Sequence, residues 1–116
     1  MQTQLNKALV FVSSRLRGDL SKNIKTAEKL CQKVLLKGRI PFAPHVYFTR
    51  FLDDNNEVER KLGIESGIEL LKLCDEMWVF DFDGISSGMQ QELDFAQSLG
   101  KKIVYFKSED ELRNYT

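Results

Sequence analysis

Met77-Trp-Val-Phe-Asp-Phe-Asp-Gly-Ile-Ser-Ser-Gly-Met-Gln-Gln-Glu92 is the stretch whose reading decides the fold. Its first four residues form an apolar run of strand length, and Asp81 to Ser86 form a polar loop. From Met89 the apolar positions Met89, Leu93, Ala96 and Leu99 recur at helical spacing. A second apolar run, Ile103-Val-Tyr-Phe106, closes the unit. Strand, loop, helix and strand make a βαβ crossover, and ligands of such folds gather at the carboxyl ends of the strands. Glu92 follows Gly88 by one turn, so both share a helix face, and the glycine leaves space beside the carboxylate. Ser86 or Ser87 caps the helix, whose free amides favour an anion. A carboxylate, hydroxyls and open amides at one strand end fit a sugar or a phosphate. The competing reading is an ordinary capped surface helix with a solvated Glu92.

Outward from this unit, Ala8-Leu-Val-Phe-Val12 is another apolar run, placing a first parallel strand at about residues 7–13. The loop Ser14-Arg-Leu-Arg-Gly-Asp19 follows it at a carboxyl end. An arginine fork matches phosphate or carboxylate, and Gly18 lets backbone approach a ligand. The alternative is a solvated loop in which Asp19 or Ser21 caps the next helix. Leu20, Ile24, Ala27, Leu30, Cys31, Val34 and Leu35 then mark an amphipathic helix that stops at Lys37-Gly38. Arg39-Ile-Pro-Phe-Ala43 reads as a short strand whose Pro41 suits a sheet edge.

Pro44-His-Val-Tyr-Phe48 and Phe51-Leu52 form an aromatic connection, fit either to stack on a ligand or to close over the core. His45 is the only histidine, which excludes a histidine-only metal site within one chain. From Glu57 to Leu73, Val58, Leu62, Ile68 and Leu71 read as one helical stripe. Gly63 and Gly67, one turn apart, let something approach closely. Ser108-Glu-Asp-Glu111 has a capping-box pattern before a short last helix. Strands alternating with helices give a single domain over residues 1–116. It is a three-layer α/β fold, flavodoxin-like or Rossmann-like, with about four parallel strands in the order 2-1-3-4.

The 116 residues hold 17 basic and 17 acidic side chains, a balance that carries no electrostatic footprint for duplex nucleic acid or an anionic membrane. Low net charge leaves self-association unopposed. No uncharged run approaches a membrane span, and the first residues lack a signal-peptide pattern. Cys31 and Cys74 have no Cys-x-x-Cys spacing and read as free buried thiols of a cytoplasmic protein.

Ser13-Ser-Arg-Leu-Arg-Gly-Asp19, Ile40-Pro-Phe-Ala-Pro-His-Val-Tyr-Phe48, Phe51-Leu-Asp-Asp-Asn55, Cys74-Asp-Glu-Met-Trp-Val-Phe80 and Ser86-Ser-Gly-Met-Gln-Gln-Glu92 together resemble a domain of unknown function from bacterial and phage proteins. That domain is similar to the nucleoside 2-deoxyribosyltransferases and deoxynucleoside 5′-monophosphate N-glycosidases. The resemblance spans about residues 7–106. It implies that Glu92, reached through Gly88, is the nucleophile on the anomeric carbon of a nucleoside or nucleotide, in chemistry akin to retaining glycoside cleavage.

The same resemblance implies that Arg17, Gly18, Ser86, Ser87 and Gly88 cradle phosphate or ribose, with Ser14 in the same loop. Asp83 is the candidate for the sugar hydroxyls, His45 and Tyr47 for the base. It implies neither cofactor nor metal, and a homodimer or higher homo-oligomer as the working unit. Three positions depart from the pattern: Phe11 replaces a tyrosine, Gly67 replaces an aspartate, and Arg15 is bulky where a small residue is usual. Glu65 is then the candidate substitute acid. The alternative function is a nucleotide-binding module that senses or sequesters its ligand without cleaving it.

Overall fold

The apolar runs become the middle of a sheet. In a computed structural model, which describes residues 8–115, the strands are β1 (Leu9–Ser13), β2 (Ile40–Phe42), β3 (Glu76–Phe80) and β4 (Lys102–Phe106). All pairings are parallel and the order is β2-β1-β3-β4, so the expected α/β topology holds. Val10, Phe11 and Val12 in β1 and Met77 to Val79 in β3 are fully buried, as central parallel strands covered on both faces must be. Pro41 lies in the edge strand β2, where its missing N–H costs no ladder bond to a further strand.

Strand alternation divides the core in two. Val10, Val12, Trp78 and Phe80 pack with Leu30 and Val34 of α1 (Leu20–Leu36) on one face. Phe11, Met77 and Val79 meet Met89, Leu93 and Ala96 of the helix over Ser87–Ser98 on the other. Asp19 caps α1 by accepting from the Lys22 amide. Gly38 ends it at φ +85°, where the Gly38 amide donates to Leu35 O and the Arg39 amide to Val34 O, the paired bonds of a Schellman stop.

The aromatic connection is more ordered than its sequence indicates. Pro44–Tyr47 form α2, led by a proline at its first turn, and Phe48–Arg50 continue as a 3₁₀ turn. Helix α3 spans Glu57–Leu71, capped by Asn56, whose side chain accepts from the Glu59 amide. Its expected apolar stripe does not form one buried face. Leu71 is buried, but Val58 and Leu62 are 71% and 50% exposed. Small residues hold the inner row instead: a Cβ on Gly67 would lie 3.4 Å from Pro44, and one on Gly63 would lie 3.4 Å from Leu52. The two glycines let the Pro44–Leu52 segment lie against α3. The helices α4 (Ser87–Ser98) and α5 (Glu109–Asn114) complete the layers. Ser108 caps α5, accepting from the Glu111 amide.

Cys74 is buried in the connection between α3 and β3, while Cys31 in α1 is half-buried. Both are free, and burial pushes each thiol up to about 11, so neither is a thiolate at neutral pH. No helix among the described residues is long and apolar enough to cross a membrane.

Candidate active site

Strand β1 ends beside β3 with Ser13 opposite Val79. With a period of two, Ser13 faces the same side of the sheet as Phe11, the side covered by α4. Phe11 is wholly enclosed and packs on Phe42, so it brings nothing to the site. Two residues further on, the fully buried Ser13 donates its hydroxyl to Glu92 Oε1 at 2.7 Å.

Glu92 is held from the other side by its own helix. Ser86 adopts extended backbone and caps α4, its Oγ accepting from the Met89 amide at 3.2 Å. Starting the helix there puts Gly88 and Glu92 on one face. The nearest atom to a Cβ on Gly88 would be Ser86 Oγ at 4.0 Å, so the glycine keeps space open there. Burial of the Glu92 carboxyl raises its pKa to about 7, against the pull of the Ser13 hydrogen bond, which favours the ionised form. Near neutral pH the group therefore switches between proton-bearing acid and carboxylate.

Glu92 lines a cavity at the carboxyl ends of β1 and β3. Ser14, Leu16 and Arg17 from the loop after β1 form one wall, with Ser86, Ser87 and Gly88 beside the carboxylate. Opposite stand His45, Phe48 and Leu52, backed by Gly63, Ile64, Gly67 and Ile68 of α3. Phe48, in the 3₁₀ turn after α2, brings one aromatic ring to that wall.

Two polar features inside the cavity matter. The His45 ring binds the backbone carbonyl of Ser14 through Nε2, which therefore carries the proton. Burial lowers the His45 pKa, partly offset by that bond and by Asp54, so the ring is neutral at pH 7. Ser14 itself is 4% exposed, and its hydroxyl is buried without a hydrogen-bond partner. A buried hydroxyl left in that condition costs roughly 1–3 kcal/mol.

Arginines meet a carboxylate at the cavity rim. Arg17 Nε lies 3.2 Å from Asp54 Oδ2, and Arg60 Nε lies 3.9 Å from Asp54 Oδ1. All three residues line the cavity, so Asp54 bridges two cations at the place where an anionic ligand would meet them. Arg15 points elsewhere: its Nη2 donates to the carbonyl of Asp83 at 3.0 Å, tying the loop after β1 to the loop after β3.

Seven of the residues named from sequence thus share the cavity: Ser14, Arg17, His45, Ser86, Ser87, Gly88 and Glu92. Four others lie outside its lining. Gly18 makes a turn at φ +112° with nothing near it. Tyr47 is exposed and packs edge-on against Phe48 and Phe51. Asp83 is exposed on the outer side of its loop. Glu65 sits off the α3 row at 60, 63, 64, 67 and 68 that faces the cavity, and pairs with Lys61 in solvent at 3.9 Å.

Ser13, Asp54 and Arg60 were not singled out as site residues in the sequence, and Phe48 only as part of the aromatic connection. For Ser13 a signal existed, because the residue two beyond a core phenylalanine at the end of a central strand must face the following helix. Among the described residues, no group of three or more His, Cys, Asp or Glu side chains is arranged to hold a metal ion.

The fold resembles that of solved 2-deoxyribosyltransferases. A solved 2-deoxyribosyltransferase from the psychrotolerant bacterium Bacillus psychrosaccharolyticus superposes with a TM-score of 0.73 at 18% identity, over 94% of this chain and 93% of its own. A 2-deoxyribosyltransferase from Leishmania mexicana gives 0.61 at 16% identity, over 85% of this chain and 63% of its own. Such identities establish a shared fold. The chain belongs to the family described as a domain of unknown function, DUF7768, whose sequence profile matches residues 8–106. No curated protein matches it.

Proposed function

We propose that this protein binds a nucleoside or nucleotide and cleaves or transfers at its N-glycosidic bond, with Glu92 as the nucleophile. The observation that carries the reading is a carboxyl enclosed in a cavity, gripped on Oε1 by Ser13, with Oε2 left for attack. Oε2 bonds to the anomeric carbon as the bond from that carbon to the base nitrogen breaks. The bonding pair leaves with the base, which takes a proton from cavity water. A second water then attacks the anomeric carbon, gives its proton to the hydroxide left by the first and releases the carboxylate, so that the net reaction consumes one water and frees base and sugar. In transfer, another base takes the place of that water.

In this scheme Ser86, Ser87 and Gly88 hold the sugar or its phosphate at the α4 N-terminus, and Arg17 meets an anionic group by exchanging Asp54 for it. His45 and Phe48 meet the base. The test is release of free base from deoxynucleosides, ribonucleosides and their monophosphates, followed chromatographically. Glu92→Gln keeps the shape and lowers the rate by on the order of 10³-fold or more. Turnover unchanged in that variant rejects the nucleophile.

The second reading is a binding module without turnover, supported by Gly67 standing where the enzymes have an aspartate. A nucleotide that raises the melting temperature and is recovered intact would select it.

Self-association belongs to the same proposal. Tyr47, Phe51, Val58 and Leu62 are 50–71% exposed around α2 and α3, an apolar surface beside the cavity. Sedimentation is expected to show a dimer or larger species that Phe51→Asp weakens. A wild-type monomer at working concentration would remove this part.

A further inference from the structure

We propose that Arg17 and Arg60 form a phosphate clamp at the cavity rim that the protein fills with its own Asp54, so that a phosphorylated ligand binds by taking the place of the Asp54 carboxylate. Asp54 is then an internal competitor, and Arg60 a specificity-determining residue. The inference rests on the reading of this cavity as a nucleoside or nucleotide site and adds to it the second arginine and the competition.

Three observations carry it. First, the fold brings two cations from different elements onto one carboxylate. Arg17 comes from the loop after β1, Arg60 from α3 and Asp54 from the turn before α3, and all three line the cavity. Arg17 Nε lies 3.2 Å from one Asp54 oxygen, and Arg60 Nε lies 3.9 Å from the other. A carboxylate reached from two sides marks a point where another anion would be reached by both. Second, the pairing is incomplete. Arg17 is 57% exposed and donates to Asp54 Oδ2 and, at 3.4 Å, to the Asp54 carbonyl. At 3.9 Å, Arg60 is beyond hydrogen-bond reach, and its side chain makes no hydrogen bond among the described residues. Each guanidinium carries five donors, so most of them are unspent. Third, the turn that carries Asp54 is held without its carboxylate. The Asp53 amide donates to Glu59 Oε1 at 3.0 Å, the Asn55 amide to Asp53 Oδ1 at 2.9 Å and the Asn56 amide to the Asp53 carbonyl at 3.0 Å. Releasing the arginines therefore asks only that one side chain turn. Glu59, the other rim carboxylate, is already engaged by the Asp53 amide.

The chemistry joins these points. A carboxylate offers two oxygens and one charge, whereas a phosphate monoester offers three terminal oxygens and close to two charges at neutral pH. The larger anion can reach both guanidinium forks together, and such bidentate contacts are stronger than an ion pair left open to solvent. An uncharged nucleoside brings nothing that competes with Asp54 and leaves the clamp shut on it.

The experiment is calorimetric binding in the Glu92→Gln background, where no ligand is consumed. Common nucleosides are each titrated beside the corresponding 5′-monophosphate, and the readout is the ratio of the two affinities for the base that binds best. The monophosphate is expected to bind at least about tenfold more tightly, the effect of one or two charge-assisted hydrogen bonds. Asp54→Asn keeps the shape, removes the competing charge and is expected to raise that ratio about fivefold, while Arg60→Gln is expected to lower it by about the same factor. Opposite signs from two residues of one contact separate a clamp from a loosened rim, which would lower the ratio in both variants. A nucleoside that binds as well as its monophosphate, or a ratio that Asp54→Asn leaves level or lowers, overturns the inference and leaves the parent reading in place. So does a phosphate preference that Arg60→Gln does not reduce, because the phosphate is then held elsewhere, as at the α4 N-terminus. Failure of every compound to bind overturns both. The Asp54→Asn ratio decides the matter even if Arg60→Gln does not fold.

Discussion

The two sides of the cavity are held by different means. On one side, Ser13 and Glu92 stand on β1 and α4, elements packed into the buried core and joined by a side-chain hydrogen bond. On the other, His45, Phe48 and Leu52 sit on a four-residue helix and a 3₁₀ turn, pressed against a helix that keeps two glycines on its inner row. The first side holds one carboxyl by a hydrogen bond of 2.7 Å. The second presents a surface of exchangeable shape. Regular elements hold the group that would do chemistry, and irregular ones hold the groups that would choose the ligand.

The comparison is tested hardest through the Glu92 carboxyl. Its folded pKa is about 7 against an ordinary 4.5. The protonated form is the one the fold favours, so this contribution is complete below pH 4.5 and is lost as pH rises through about 7. Glu92→Gln removes the dependence. Relative to wild type, the variant is expected to gain up to about 3 kcal/mol at pH 8 and almost nothing at pH 4, by denaturant unfolding at both. An equal difference at both values would mean that the carboxyl is not enclosed.

Ser13→Ala comes next. Its hydrogen bond favours the carboxylate, so losing it moves the Glu92 pKa further up. The acid limb of the pH–rate profile should shift to higher pH, and the rate at pH 7 should fall about tenfold, the worth of one hydrogen bond to a charged group. Recovery at pH 9 would separate this from simple misfolding.

The smallest effect falls on the opposite side. Gly67→Ala places its new carbon 3.4 Å from Pro44, an ordinary contact, and a helix gains about 0.5–1 kcal/mol from the exchange. A modest rise in melting temperature is expected, with nucleotide affinity lowered because the added methyl narrows the cavity. A loss of stability would show that α3 and Pro44 have no tolerance at all.

The same division governs what could be read in the amino-acid sequence. Val10-Phe-Val12 and Met77-Trp-Val-Phe80 announce buried strands because a strand covered on both faces must be apolar throughout. Ser86 announces the α4 cap by its place before a periodic helix. The glycine stop at Gly38 and the edge position of Pro41 were legible for equally local reasons. Val58 and Leu62 misled because helical spacing records a stripe without saying which side is covered, and glycine, which decides the covered side of α3, adds nothing to an apolar count. The aromatic connection was too short for periodicity to reveal α2. Asp54 and Arg60 meet only through tertiary approach, which no local pattern encodes.

The hydrogen bond between Ser13 and Glu92 joins positions 79 residues apart. A contact that closes so long a loop forms only after both halves of the sheet have come together. The Ser13–Glu92 pairing, on this architecture, forms late in folding. A nascent chain lacking α4, or a proteolytic fragment cut between β2 and β3, would lack the Ser13–Glu92 hydrogen bond altogether.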